Sequence, residues 1–140
     1  MDSTTKSLAV KFKKWELNNP YNLVSTARKG IDAKVFYEFA GMAKLSEKFL
    51  ANLINLSART LSNYKEQKKT LEPVYSEHLL KLINLFSKGE IAFGNIEEFN
   101  YWLKKPFWKS TEAPVDWIVT SGGVDLVSKE LDRLMTGYPD

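Results

Sequence analysis

Apolar residues recur every three or four positions along most of the chain, which is the spacing of one face of an α-helix. Val35, Phe36 and Phe39 show this spacing in the first half of the chain. Residues 79–86 show it in the second half. A convincing alternation of apolar and polar residues, which would indicate a half-buried strand, is not found in the sequence. The pattern therefore predicts an all-α fold.

Helix-breaking and capping residues divide the first half of the chain into short helices. Gly30 is expected to end a helix that begins near Tyr21, because glycine readily adopts the left-handed conformation that often follows a last helical turn. Asp32 can cap the next helix by accepting hydrogen bonds from its first amides. Ser46 and Ser57 precede two further apolar stretches and are predicted to begin helices in the same way.

Similar signals predict further helices in the second half. Ser76 is expected to cap one helix, which Gly89 then ends. Asn95, with a glutamate three residues later, has the pattern of a capping box at the start of another helix. The glycines at 122–123 predict a helix stop, and Gly137 is expected to close the last helix.

The composition is typical of a folded protein with one domain, or with two small helical subdomains that share a core. Hydrophobic residues make up 44% of the 140 positions, which argues against a disordered chain. Cysteine is absent, so disulfides, thiolate metal sites and thiol nucleophiles are excluded. No apolar run reaches the roughly 18 residues that a membrane span needs, and no signal-peptide core follows the polar N-terminus. We therefore expect a cytoplasmic protein without a membrane partner.

The net charge of +3 is unevenly distributed along the chain. Residues 1–75 hold 13 Lys and Arg against 7 Asp and Glu, a net charge of +6. Residues 76–140 hold 7 Lys and Arg against 10 Asp and Glu, a net charge of −3. A basic surface attracts polyanions such as nucleic acid, whereas an acidic surface does not. The charge therefore favours a nucleic-acid-binding region over 1–75, although chance variation of surface charge is the alternative.

Residues 47–66 have the pattern of a helix-turn-helix, in which two short helices cross over a tight turn. Ala51 supplies the small residue that such a crossing needs. Four positions later, Asn55 stands where glycine is more usual, and asparagine is the best common substitute at a positive φ. The apolar residues predicted to face the core are Leu50, Ile54, Leu56, Leu61 and Tyr64.

In this register the second helix of the pair presents polar side chains to solvent. Arg59 and Asn63 can form paired hydrogen bonds with guanine and adenine edges in a major groove, while lysines contact phosphates. Lys44 is a further phosphate contact predicted near the preceding helix. Any soluble helical hairpin also exposes polar residues, so a purely structural interpretation stays open. The predicted DNA-binding residues are Lys48, Arg59, Thr60, Ser62, Asn63, Lys65, Lys68 and Lys69.

The sequence carries no pattern typical of an enzyme, a metal site or a phosphate-binding loop. A nucleophile-elbow pattern is not found around any serine, so His78 is expected to be a solvated or a capping residue. No group of side chains has the spacing of metal ligands, and no glycine-rich loop has the spacing that phosphate binding needs. We therefore expect a protein without catalytic residues, metal or cofactor.

Large aromatic residues are concentrated between positions 102 and 117. Trp102 and Trp117 are expected in the core, which is the usual place for a large aromatic side chain. Phe107 and Trp108 follow Pro106 in a predicted loop. If they are exposed there, they are suited to anchor a protein partner, because aromatic side chains dominate binding hot spots.

Six short segments in a consistent order carry a resemblance to a known family. They are RKGI at 28–31, LSARTL at 56–61, SEHLLKL at 76–82, FGN and YWL at 93–103, APVDWIVT at 113–120, and the last stretch at 123–137. Together they resemble antitoxins of the Xre/MbcA/ParS family, the partners of RES-domain toxins. The resemblance covers the chain from about residue 20 to residue 140.

The resemblance implies an Xre-like helix-turn-helix domain that binds operator DNA and forms a homodimer, here residues 1–75. It also implies a small helical toxin-binding domain, here residues 76–140. The RES toxin of such a pair consumes NAD, and the antitoxin blocks the toxin's active site and represses its own operon. On this basis we expect toxin contacts at Phe107, Trp108, Glu130, Arg133 and Tyr138.

Two other functions stay open at the level of sequence. An orphan helix-turn-helix transcriptional regulator would share the fold but would have no toxin. A protein-binding adaptor would keep the fold without binding DNA, and Asn55 in place of glycine keeps that function open. A neighbouring gene for a RES-domain protein separates the first of these from the antitoxin.

Overall fold

The computed structural model describes residues 7–107 and 109–137. Every regular element in those two ranges is helical, which confirms the predicted all-α fold. Extended pairing there is limited to an isolated bridge between Asp32 and Thr70. No helix within the described ranges is both long and apolar enough to span a membrane. The helices are α1 (Leu8–Lys11), followed by a 3-10 turn (Lys13–Trp15), then α2 (Pro20–Lys29), α3 (Lys34–Met42), α4 (Glu47–Leu53), α5 (Ala58–Glu66), α6 (Pro73–Phe93), α7 (Ile96–Lys104), α8 (Pro114–Trp117) and α9 (Ser121–Thr136).

Side-chain caps begin several helices at the predicted residues. Ser46 Oγ and Ser57 Oγ each accept a hydrogen bond from the third amide of the helix that follows, both at 3.0 Å. Asn95 Oδ1 does the same for α7 at 2.8 Å. Asp32 Oδ1 accepts a hydrogen bond from the Lys34 amide, the first of α3, at 2.9 Å. Each bond satisfies an amide that has no partner inside its own helix, so the caps predicted at Ser46, Ser57 and Asn95 are confirmed. The cap position of α3 is Ala33, which makes no side-chain bond, so that helix begins one residue later than a cap at Asp32 predicts.

Helix α6 begins earlier than the sequence predicted. Its first residue is Pro73, whose missing amide costs nothing in a first helical turn. Ser76 therefore does not cap the helix, and that prediction is wrong. The Ser76 hydroxyl is buried instead, where it donates to the Leu71 carbonyl at 3.0 Å and accepts from the Ile31 amide at 3.1 Å. This serine ties the start of α6 to the segment that precedes α3.

Helix α6 also continues past Gly89, which was predicted to end it. The glycine is required by close packing, because an added β-carbon would lie 2.2 Å from Cδ1 of Phe99 on α7. Gly94, with a φ of 89°, follows the last residue of α6 instead. The prediction that Gly89 ends α6 is therefore wrong. Glycine is needed there because α6 and α7 approach each other closely.

Helix α9 begins earlier than expected, because the glycines at 122–123 form its first turn and do not stop a helix. Thr120 caps the helix, with its Oγ1 accepting a hydrogen bond from the Gly123 amide at 3.0 Å. A β-carbon at Gly123 would lie 1.7 Å from the carbonyl oxygen of Trp117. Glycine is therefore needed for the close approach of α8 to α9. Gly137 follows the end of α9, as predicted.

The core is built around α6, against which α1, α2, α7 and α9 pack. Phe86 of α6 makes edge-to-face contacts with Phe39 of α3 and Phe99 of α7, with ring centroids 5.4 and 5.0 Å apart. Buried apolar residues from both halves of the chain belong to one cluster. The predicted boundary between residues 75 and 76 lies within the first turn of α6. The assignment of separate functions to the two halves stays a prediction.

We expect Gly89→Ala to destabilise the protein by about 1–3 kcal/mol, because the new methyl group overlaps the buried ring of Phe99. Gly41→Ala in α3 is the matched control, since nothing lies within 4 Å of its added β-carbon. Alanine is also the better helix former, by up to about 1 kcal/mol. Urea unfolding followed by circular dichroism measures both free energies of unfolding. Equal stabilities of the two variants would contradict the described packing of α7 against α6.

Candidate nucleic-acid and partner interfaces

A tight turn joins α4 to α5. Asn55 has a φ of 64° in this turn, which is the positive value that the sequence predicted. The Leu56 amide donates to the Ala51 carbonyl at 3.1 Å and closes the turn over the end of α4. Ala51 is itself buried, in the position where a small residue was expected. The local geometry predicted for the turn is thus confirmed, whereas its role with nucleic acid stays a prediction.

The inward face of α4 and α5 is apolar, as predicted. Leu50, Ile54 and Leu61 are fully buried in the core cluster. Leu56 and Tyr64 are half-buried and pack against that cluster. Within α5, Leu61 is the one buried residue. Helix α5 therefore lies on the surface of the protein and exposes most of its circumference.

The outward face of α5 carries the polar residues that were predicted to contact DNA. Arg59 and Asn63 lie one helical turn apart, and both are exposed. Ser62 and Lys65 are exposed beside them. Thr60 is half-buried, and its hydroxyl accepts a hydrogen bond from the capping serine of α5 at 2.8 Å. The structure therefore places five of the eight predicted residues on α5, with Thr60 engaged in the cap, whereas Lys48 lies on α4 and the last two lysines follow the end of α5.

Two of the predicted lysines rest on tyrosine rings. The ammonium nitrogen of Lys65 lies 4.5 Å from the ring centroid of Tyr37 on α3. That of Lys69 lies 5.4 Å from the ring centroid of Tyr64. Such cation–π contacts restrict the lysine side chains while their charges stay at the surface. Burial, with a smaller contribution from Glu47, raises the pKa of Tyr37, so this ring is neutral beneath Lys65. The other two predicted lysines, Lys48 and Lys68, are exposed.

Lys44 has a partner within the chain, although the sequence favoured it as a phosphate contact. Its ammonium group forms an ion pair with the carboxylate of Glu97 on α7. The hydrogen bond from Lys44 lowers the pKa of Glu97. Both side chains are exposed, so the pair adds little to stability. A phosphate group at Lys44 would have to compete with this carboxylate.

The residues predicted to contact a toxin are described only in part, because Trp108 and Tyr138 lie outside the described residues. Phe107 is half-buried. The sequence left open whether it is an exposed anchor or a core residue, and its exposure lies between these two. Glu130 and Arg133 lie one turn apart on α9 and form an ion pair at 3.7 Å. The two charges on α9 thus share one face of the helix.

Trp117 is 41% exposed, so the prediction that it belongs to the core is wrong. Helix α8 is only four residues long, and Ile118, the residue after its end, enters the core instead. Trp102 was also expected in the core. It is half-buried and stacks on Phe99, with ring centroids 5.8 Å apart. The apolar pattern could not decide which of two neighbouring apolar residues is buried after so short a helix.

Helix α9 exposes apolar side chains that the sequence analysis did not identify as a surface. Leu126, Leu134 and Met135 are all at least 41% exposed. Leu126 and Leu134 are eight residues apart, so they lie on the same side of the helix. Their spacing is the signal that could have revealed this second stripe. The buried stripe of α9 consists of Val124, Val127 and Leu131.

His78 on α6 is buried, so the solvated alternative for this residue is wrong. Its Nε2 lies 2.9 Å from the carbonyl oxygen of Ile118, directly after α8. Because a carbonyl only accepts hydrogen bonds, Nε2 carries the hydrogen in this contact. Burial lowers the pKa of His78, and the positive charge of Lys81 lowers it further, while the bond to Ile118 opposes both. The histidine therefore caps the end of α8 from α6.

Two lysines on α6 bind acidic side chains on α9. Lys81 Nζ lies 2.7 Å from Asp125 Oδ2 on α9, and 3.3 Å from Oε2 of Glu77, one turn earlier on α6 itself. Lys88 Nζ lies 2.6 Å from Asp132 Oδ1. Burial lowers the pKa of Lys81, but the two carboxylates outweigh this effect and raise it. Part of the acidic charge of the second half is therefore neutralised within the chain.

No protein-family model matches the chain, and its sequence matches no curated protein. The resemblance to antitoxins therefore stays a prediction. The features that indicate a function are the surfaces of α5 and α9 and the motifs in the sequence.

We expect the free energy of unfolding to fall as the pH drops below about 6.5, the ordinary pKa of the His78 side chain. The lowered pKa in the folded chain means that the unfolded chain takes up this proton first, so stability decreases with a slope of at most about 1.4 kcal/mol per pH unit. The loss stops below the pKa of the folded state. His78→Gln keeps a donor for the Ile118 carbonyl and cannot titrate in this range.

Urea unfolding at pH 7.5, 6.5 and 5.5 measures the effect as the difference between wild type and His78→Gln. Exposed carboxylates titrate equally in both chains and cancel in this difference. An identical pH dependence of the two chains would show that His78 is not held neutral in the folded protein.

Proposed function

We propose that this chain is an antitoxin that binds and blocks a RES-domain, NAD-consuming toxin and represses its own operon as a homodimer in the cytoplasm. The observation that carries the DNA-binding part is the exposed polar face of α5 beyond the turn at Asn55. The toxin part is supported by the six sequence segments that resemble antitoxins of the Xre/MbcA/ParS family. In this proposal the chain has no catalytic residue and holds no cofactor.

Sequence-specific contacts are assigned to Arg59 and Asn63. Both are exposed, and their spacing of one helical turn lets both reach into a single major groove. A guanidinium group pairs with the O6 and N7 atoms of guanine, and a carboxamide pairs with the N6 and N7 atoms of adenine. Ser62 lies beside them and can contact either bases or phosphates.

Contacts with the DNA backbone are assigned to the four lysines that surround this face. Lys65 and Lys69 are restrained by tyrosine rings, so less side-chain freedom is lost when they contact phosphates. Lys48 on α4 and Lys68, which lies between these two lysines in the sequence, are also exposed. Release of counterions from the phosphates supplies much of the affinity in such an interface. Thr60 is assigned a supporting role, because its hydroxyl takes part in the cap of α5.

The toxin-binding surface is assigned to α9 and to the loop before α8. Leu126 and Leu134 expose apolar area on one side of α9, and Glu130 with Arg133 adds a charged pair. Exposed apolar side chains with charged neighbours are typical of protein interfaces. Phe107 is a further contact on the loop, and the same role is assigned to Trp108 and Tyr138. Inhibition in this proposal is steric: the bound antitoxin covers the toxin's active site.

The proposal predicts that the two activities can be removed separately. Arg59→Ala combined with Asn63→Ala should weaken binding to operator DNA by about 1–3 kcal/mol for each lost base contact. The same variant should still rescue growth and co-purify with the product of the adjacent gene, which the proposal expects to be a RES-domain protein. Lys104→Ala, at an exposed lysine to which we assign no contact, is the control for loss of charge.

The converse variant replaces Leu126 and Leu134 by aspartate. Both side chains are exposed, so the fold should be retained, while the charges oppose burial against a protein partner. Growth rescue and co-purification should be lost, and DNA binding in a mobility-shift assay should be kept. The assignment of two separate surfaces is wrong if either variant loses both activities with its helicity unchanged.

A further inference from the structure

Residues 118–120 connect α8 to α9, and each of the three forms a hydrogen bond with a different element of the fold. The carbonyl of Ile118 accepts the hydrogen bond from His78 on α6 at 2.9 Å. The carbonyl of Val119 accepts one from the Asn55 side chain, in the turn between α4 and α5, at 3.3 Å. The hydroxyl of Thr120 caps α9. We refer to residues 118–120 as the junction.

The junction is held firmly at its C-terminal side. The Val124 amide donates to the Thr120 carbonyl at 3.0 Å, in addition to the cap on the Gly123 amide. The first turn of α9 also approaches the Trp117 carbonyl so closely that only glycine fits at position 123. A displacement of the start of α9 therefore moves the junction with it, because packed elements shift as units.

Asn55 meets two requirements at once. Its backbone has a φ of 64°, and its Nδ2 donates to the Val119 carbonyl. Glycine would satisfy the backbone requirement at lower cost but has no donor. Aspartate also tolerates a positive φ, yet its carboxylate only accepts hydrogen bonds. Asparagine is therefore the residue that both turns the chain and binds the C-terminal half.

We infer that Asn55 is a positioning residue through which the junction sets the orientation of α5 and thereby its affinity for DNA. The inference rests on the proposed DNA-binding function of α5. Helix α5 fully buries only Leu61, and Tyr64 and Lys65 hold its C-terminal half, so the position of its first turn depends on what holds the turn before it. The bond from Asn55 to Val119 holds this turn against the second half of the chain. The affinity of this surface for DNA thus depends on a contact with the second half of the chain, although the residues assigned to DNA all lie within 1–75.

Energetic coupling between two sites is reciprocal. If the junction restrains α5, then a change at Asn55 must also be felt in the first turn of α9. The amides of Gly123 and Val124, which are bonded to Thr120, report that effect by hydrogen exchange. This reporter needs no ligand, so it tests the junction independently of DNA.

The first arm compares hydrogen exchange in wild type, Asn55→Gly and Asn55→Asp, each as the full chain without DNA. Exchange in residues 121–124 should be about twofold to tenfold faster in both variants, the range for loss of one net hydrogen bond. Asn55→Gly should unfold close to the wild-type temperature, because relief of the positive φ offsets the lost hydrogen bond. Unchanged exchange in residues 121–124 would overturn the inference, whatever the chain does with DNA.

The second arm measures binding of wild type and Asn55→Gly to a duplex of the DNA directly upstream of the chain's own coding sequence. The variant should bind about twofold to tenfold more weakly, although it loses no charge and none of the residues assigned to contact DNA. Equal affinities would overturn the coupling while leaving the proposed function intact. A wild-type chain that binds no duplex contradicts the proposed function, and the inference with it, even if exchange responds as expected.

Discussion

Ten of the 21 residues of α6 are buried, so other helices have to cover most of its sides. This requirement organises the rest of the chain. Four helices from both halves of the sequence supply the cover. Three of the buried side chains on α6 are polar, and each one has a hydrogen-bond partner that satisfies it. Two of these bonds reach other parts of the chain: Ser76 binds the segments that flank α3 and α5, and His78 binds the end of α8.

The proposed functional surfaces consist of side chains on α5 and α9 that are not buried in this core. Helix α5 fully buries only Leu61 and packs Tyr64 against the core, so most of its polar side chains are available to a ligand. Helix α9 gives one stripe to α6 and leaves a second apolar stripe exposed. The acidic residues of α9 that face α6 are largely paired with Lys81 and Lys88. Net charge alone therefore does not explain how this half would attract a partner, whereas the exposed apolar stripe offers area that a partner can bury.

Local signals in the sequence predicted the caps and the turn well. Ser46, Ser57 and Asn95 act on amides within three residues, so the sequence contains all that is needed to predict them. The positive φ at Asn55 is a local property of the same kind. Its hydrogen bond to Val119 is not, because it joins residues 64 positions apart. The exposed polar face of α5 was predictable from helical periodicity, whereas its dependence on the junction was not.

The errors concern residues whose role is set by packing between distant elements. Gly89 and Gly123 look like helix stops in the sequence, yet each is required where a second element comes too close for a side chain. Ser76 resembles a cap, but tertiary contacts bury it inside a longer helix. Trp117 and Ile118 are neighbours with similar apolar character, and the shortness of α8 decides which of them is buried. The roles of these residues cannot be predicted without the three-dimensional contacts.

The central claim is that the basic, polar face of α5 binds the DNA backbone as well as base edges. The most direct test is fluorescence anisotropy of the wild-type chain with a labelled upstream duplex over a series of salt concentrations. Four lysines are assigned to contact phosphates, so the logarithm of the association constant should fall against the logarithm of the salt concentration with a slope of about −3 to −4 per protomer. Binding that does not depend on salt, or no binding at low salt, would contradict the account.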